Sequence, residues 1–183
     1  RELAQAQGYT YLDLQVRVDD LTPVNAAVRT GFRLVATHLT LVHDLSRPVP
    51  PCPPTPATIE LGRPEDVAEL EAMAARCVPP YSRYAVDPKL PRDKTPVVFG
   101  QWAANSVRGY AQLTLVARVD GVIVGYSAWR DNGAAAQYLG DKLAVSAVSS
   151  VVPEARRQNI FGAMLHACLL WHQERGYRYV EPV

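Results

Sequence analysis

VVPEARRQNIFGAML, residues 151–165, runs from the end of an apolar strand through two arginines and an amide pair straight into an apolar helix. A strand that feeds a helix through a short polar turn leaves the first N–H groups of that helix without intrahelical partners. The positive end of the helix dipole stands behind them. Such a turn is a seat for an anion, and the competing reading is a plain polar strand-to-helix connection.

Working outward, an amphipathic helix is expected from about Asn159 to Arg175, stopped by Gly176, and then a strand Tyr177 to Val180. Upstream, Leu143 to Val152 alternates as a strand. Gln112 to Val119 and Val122 to Arg130 read as two more, joined by Asp120-Gly121, a dipeptide that tolerates the positive φ of a two-residue hairpin. Thr58 to Leu61 reads as a first strand. Pro64 then opens a helix whose apolar face is Val67, Leu70, Met73, Ala74 and Cys77. A proline-broken segment, Pro79 to Pro96, leads to a second helix, Val97 to Arg108, carrying Phe99, Trp102 and Val107.

The sharpest break in composition is Arg47 to Pro56, with six prolines in ten residues. A run without N–H donors cannot join a helix or sheet and extends as polyproline II, which reads as a stiff linker. Before it, Arg1 to Gln7 reads as the tail of a helix stopped by Gly8. Tyr9 to Val16 alternates as a strand, Thr22 to Arg29 is a short helix closed by Gly31, and Phe32 to Val42 is strand material. This opening piece needs a partner to bury its strands. Gln7-Gly-Tyr-Thr-Tyr-Leu is echoed at Arg175-Gly-Tyr-Arg-Tyr-Val, by chance or as the mark of a repeated module.

The 183 residues are 48% hydrophobic with a net charge of +1, which suits one domain or a domain with a fragment of another and argues against nucleic acid as a partner. Three cysteines, Cys52, Cys77 and Cys168, lack metal-ligand spacing and read as free thiols of a cytoplasmic protein. No run reaches the ~18 apolar residues of a membrane span. The Arg1-Glu2 start is no signal peptide, and the missing initiator Met suggests a segment of something longer. His38, His43, His166 and His172 are spaced on different faces, so no metal site is expected.

The order strand, helix, helix, hairpin, strand, turn, helix, strand resembles the GNAT superfamily of acyl-CoA-dependent N-acetyltransferases. The opening piece, with PVNAAVRTGF at 23–32 before a long strand, resembles the segment that closes a GNAT domain. Ser82-Arg-Tyr84, FGQWAANSVRG at 99–109 and Leu115-Val-Ala-Arg118 are most similar to acetyltransferases of nucleotide-linked amino sugars, the dTDP-fucosamine type in particular. The resemblance implies an α/β fold, a mixed and mostly antiparallel sheet flanked by helices, in permuted segment order. Residues 1–45 would be the C-terminal part of one module, 46–57 a linker and 58–183 the first two thirds of the next. Residues 9–42 would give strands to the same sheet or to a neighbouring copy.

The resemblance also implies acetyl-CoA as co-substrate and a small-molecule amine as acceptor, with a second GNAT module or a swapped copy as partner. In the family the turn follows Arg/Gln-x-x-Gly-x-Gly/Ala and cradles a pyrophosphate. Here Arg156, Arg157, Gln158, Asn159, Ile160, Phe161 and Gly162 match it, with Asn159 and Phe161 where the first two glycines would stand. Val151 and Val152 match the positions that bind the pantetheine arm. The position of the family's tyrosine acid, counted back from Gly31-Phe32, holds Ala27, and an acid of the second module would lie beyond Val183. No carboxylate stands between Lys142 and Pro153, so the base is water, Asp141 or a residue from elsewhere, and catalytic residues are not assigned. A non-catalytic GNAT-like ligand-binding or scaffold module is the alternative. The missing Gly-Lys-Ser/Thr ending argues against a third reading, a P-loop nucleotide binder.

Overall fold

The computed structural model describes residues 2–182, so the expected helix start at Arg1, and Val183, lie outside the described residues. In chain order the elements are helices α1 (Glu2–Ala6) and α2 (Leu21–Arg29), strands β1 (His43–Asp44) and β2 (Thr58–Leu61), and helices α3 (Val67–Ala75), α4 (Arg83–Val86) and α5 (Thr95–Asn105). Strands β3 (Leu113–Val119) and β4 (Val122–Asp131), helix α6 (Gly133–Leu139), strand β5 (Leu143–Val151), helix α7 (Ile160–Glu174) and strand β6 (Tyr179–Glu181) complete the order. These elements divide between two compact units.

The larger unit holds residues 38–79 and 92–182. Among the described residues its sheet has six strands in the order β1-β6-β5-β4-β3-β2. All neighbours are antiparallel except β5 and β6. That parallel pair requires a crossover, and α7 supplies it. The β3–β4 hairpin closes through Asp120 and Gly121 at φ 50° and 82°, both positive as a two-residue turn of this hand demands. The chain's first strand lies beside its last, with His43 opposite Val180.

Two apolar clusters hold the sheet to its helices. In one, Leu70, Met73 and Ala103 of α3 and α5 meet Val116 and Tyr126 of the sheet, and Ile160 and Met164 of α7 join them. In the other, Leu113, Leu115, Trp129 and Val180 meet Cys168 and Leu169 of α7, with Leu45 closing the edge. Helices α3 and α5 touch so closely that a Cβ on Gly100 would lie 2.9 Å from the Glu71 carbonyl oxygen. His172 is fully buried on α7, edge-on to Trp171 and Tyr177. Burial is the main cause that lowers its pKa, against the opposing bond from its Nδ1 to the Cys168 carbonyl.

The proline-rich segment joins β1 and β2, the two opposite edges of this one sheet. A six-strand sheet is about 24 Å across at about 4.8 Å per gap, while twelve extended residues at about 3.1 Å reach about 37 Å. The segment makes the crossing along the outside of α7. Gln173 Nε2 donates to the Leu45 carbonyl at 2.9 Å, His166 Nδ1 to Pro50 at 2.8 Å, and Asn159 Nδ2 to Pro54 at 2.9 Å.

The smaller unit holds residues 2–37 and 80–91. Tyr11 donates its hydroxyl to Asp87 at 2.9 Å and Arg83 pairs with Asp13. The strands expected at 9–16 and 32–42 are absent among the described residues, apart from one bond from the Leu41 N–H to the Pro182 carbonyl, and pairing begins only at His43. The alternation there is correct for strands, but a strand exists only against a neighbour that takes its N–H and C=O groups. Leu12, Leu14 and Leu34 stay exposed accordingly.

Two outcomes are expected from this packing. Gly100→Ala should lower stability by about 1–3 kcal/mol, the cost of overpacking a tight helix pair, read as a lower urea midpoint. The second outcome concerns the unfolded chain, which binds a proton on His172 near pH 6.5 that the folded chain refuses. Stability should therefore fall as pH drops below about 6.5, by at most about 1.4 kcal/mol per unit for this one group. In His172→Gln that part of the slope, followed by urea melts across pH 5 to 7.5, should vanish.

Candidate functional site

β5 and β6 pair only over Leu143–Tyr179, Ala144–Val180 and Val145–Glu181. Beyond Val145, β5 runs on for six residues to Val151 bonded only to β4. Its other edge, Ser146 to Val151, is half-buried and has no strand partner among the described residues. Within this stretch Ala128 pairs with Val148 but Trp129 with Ser146, so Ala147 is an extra bulged residue. A bulge leaves its residue out of the ladder and bends the strand locally. Ser149 Oγ lies 2.8 Å from Ser127 Oγ, which accepts from Trp129 Nε1 at 2.7 Å.

The free edge runs out into the turn before α7. Val152 is buried and its N–H bonds the Val124 carbonyl at 2.9 Å. Pro153 to Ala155 make one tight helical turn, after which Arg157 and Asn159 both take left-handed backbone, φ 63° and 58°. Neither is glycine. Asn tolerates this region, and Arg there carries a steric cost of about 1–2 kcal/mol. The first helical bond here runs from the Ala163 N–H to the Asn159 carbonyl at 2.9 Å. The N–H groups of Ile160, Phe161 and Gly162 thus precede the helical ladder, as at every helix start. Asn159, at the N-cap, makes no side-chain cap bond because its amide is turned onto Pro54.

Val151, Arg156, Arg157, Asn159, Ile160, Phe161 and Gly162, seven of the nine residues expected from the sequence, line one open pocket of about 220 Å³. Ala155, which the sequence did not single out, lines it as well. Gln158 lies outside the lining and donates to the Glu154 carbonyl at 3.4 Å, and Val152 lies beneath in the core. The Phe161 side chain is 45% exposed rather than packed away in the core. Arg156 Nε donates to the Val151 carbonyl at 3.1 Å, which ties the guanidinium to the strand end while its other N–H groups remain available. An uncapped helix mouth with an arginine fixed beside it favours a phosphate-bearing ligand.

The groups that can move protons stand elsewhere. Asp141 precedes the paired end of β5, away from the free edge. Tyr177 donates to Asp131, and its hydroxyl is pushed up to about 12, first by burial. It therefore keeps its proton at neutral pH, held by Asp131. Burial also raises the Cys77 and Cys168 thiols. Among the described residues no cluster of His, Cys, Asp and Glu suits a metal ion, and no helix is long and apolar enough to cross a membrane.

No protein-family model matches the chain. A stretch of 74 residues, 39% of the chain, is 39% identical to the spore coat polysaccharide biosynthesis protein SpsD of Bacillus subtilis (strain 168), and the match takes in 25% of that protein. The chain thus spans about a quarter of the curated relative it matches. Among solved structures it is similar to a GCN5-related N-acetyltransferase from Sphaerobacter thermophilus, with TM-score 0.58 and 18% identity over 91% of this chain and 48% of that one. A ribosomal-protein-alanine N-acetyltransferase from Brucella melitensis biovar Abortus 2308 superposes with TM-score 0.50 and 19% identity, over 69% and 79%. A transcriptional regulator from Bacillus halodurans C-125 gives TM-score 0.50 and 19% identity, over 69% and 81%. The fold is the mixed, mostly antiparallel GNAT-type sheet with its flanking helices.

The strain at the turn has a measurable consequence. Arg157→Val, with a β-branched side chain in left-handed backbone, should lower stability by about 1–2 kcal/mol, whereas Arg157→Gly should leave the urea midpoint unchanged or higher.

Proposed function

We propose that this chain is the acyl-CoA-binding portion of an N-acetyltransferase that moves an acetyl group from acetyl-CoA to the amine of a small molecule, an amino sugar being the favoured class. The free edge of β5, leading into the uncapped start of α7, carries this reading. A pantetheine arm has amide groups that can bond the backbone of Ser146 to Val151 as an added strand would. A diphosphate at its end meets the N–H groups of Ile160 to Gly162 and the Arg156 guanidinium. The bulge at Ala147 is the candidate place for a backbone donor to the thioester carbonyl oxygen as it gains negative charge.

In the transfer the amine lone pair attacks the thioester carbon, the C–S bond breaks, the amine loses a proton and the thiolate gains one. β5 offers no carboxylate for the first proton, so in this reading the base is water, Asp141 or a residue from elsewhere. The amino-sugar class rests on two supports, the FGQWAANSVRG segment at 99–109 and the partial likeness to a polysaccharide biosynthesis protein. That segment ends in a π-turn, Ser106–Tyr110, with Gly109 at φ 110° and with Trp102 partly exposed on α5. Three free cysteines support a reducing, cytoplasmic setting. Residues 1–45 are read as the closing part of a second module, to be completed by that module or by a swapped copy.

A non-catalytic ligand-binding or scaffold module is the second reading. The alanine at residue 27, where the resemblance asks for a tyrosine acid, favours it.

Titration calorimetry with CoA tests the first step. Binding is expected, and Arg156→Ala should weaken it about tenfold, the scale of one charge-assisted bond. No heat from the folded protein would end the transferase reading. Release of free thiol from acetyl-CoA over a panel of nucleotide-linked amino sugars, aminoglycosides and amino acids then separates an enzyme from a binder.

A further inference from the structure

The outer face of α7 presents Asn159, Gly162, His166, Leu169 and Gln173 at spacings of three and four, a single stripe along the helix. The proline-rich segment lies on that stripe in the opposite direction. Three side-chain N–H groups, from Asn159, His166 and Gln173, each donate to one of its carbonyls within 2.9 Å. Between them Gly162 leaves room for Pro53, since a Cβ there would stand 3.1 Å from the Pro53 ring. Leu45 and Val49 pack into the same cluster as Leu169.

The chemistry of the two partners matches. Prolines carry carbonyl acceptors but no donors, and Asn159 and His166 meet two of them with N–H groups while Gln173 meets the Leu45 carbonyl before the proline run. Bonds at both ends and the middle make this a fitted contact. Its last bond falls on Asn159, the left-handed residue at the mouth of the pocket.

We infer that the segment 45–57 is a strap that positions the anion seat. By holding the Asn159 amide on Pro54, it keeps the turn in its left-handed form and keeps that side chain off the N–H groups of α7. Asn159 is then a positioning residue, and the strap sets how well the turn receives a diphosphate. The inference rests on the reading of the turn as a seat for the diphosphate of acyl-CoA.

The test uses the full chain with three substitutions. Asn159→Gly keeps the backbone free to be left-handed and removes the tether. His166→Ala releases the strap far from the pocket, and His166→Gln restores a donor. Two quantities are measured: amide hydrogen exchange at residues 158–162 without ligand, and affinity for CoA against pantetheine, which lacks the diphosphate. Asn159→Gly and His166→Ala should speed exchange in the turn about tenfold, leave β3 and β4 unchanged, and weaken CoA three- to tenfold with pantetheine unaffected. His166→Gln should recover most of both effects. Unchanged exchange and CoA affinity in both tether variants would overturn the strap. Where Asn159→Gly does not fold, His166→Ala with its Gln rescue decides alone. Faster exchange in a protein that never binds CoA would uphold the strap and remove the diphosphate reading instead.

Discussion

The parallel pairing of β5 with β6, the one parallel pair among the described strands, is the constraint on which the rest of this molecule depends. Past Val145, β5 is bonded only to β4 among the described residues. Unpaired backbone that is half-buried is unfavourable unless something else bonds it. Because β5 and β6 are parallel, the chain must return through a crossover, and α7 must pack its Met164 and Cys168 against the sheet to do so. Because α7 begins where β5 ends, the helix mouth falls beside the far end of that strand.

Much of this was legible because local chemistry decided it. Asp120-Gly121 predicted its hairpin, Gly176 its helix stop at φ 72°, and the polar turn its position between β5 and α7. Helix α6 was missed. Its three alanines after Gly133 carry no apolar periodicity, and the signal that was available is Asn132, whose side chain accepts from the Ala135 N–H as an N-cap. The bulge at Ala147 sits in a strand with apolar residues on both faces, so the alternation that would betray one extra residue is blurred. The reach of Arg156 back to Val151 joins residues close in sequence, yet it depends on the fold around it.

The opening segment shows the opposite limit. Its residues 9–16 and 32–42 have a strand's pattern and form no strand among the described residues. Pattern describes one chain, whereas a sheet is a property of pairs. The echo between Gly8 and Gly176 illustrates the same point. In both, the glycine N–H bonds three residues back and the next N–H five residues back, but Gly31 closes its helix identically without sharing the Tyr-x-Tyr sequence. A common helix ending is therefore no proof of a repeated module. The residues after Gly176 become β6 because β5 and β1 flank them.

The proline crossing also orders events in time. Its three bonds to α7 join residues 105, 116 and 128 positions apart, and contacts so distant along the chain close late. During synthesis the prolines emerge when the helix they will grip does not yet exist, and they wait as a bare, already extended rod. Being stiff, that rod has little conformational freedom left to lose when α7 arrives. The crossing is thus gripped only after α7 has been made, and the pocket acquires its final shape only when synthesis has passed Gln173.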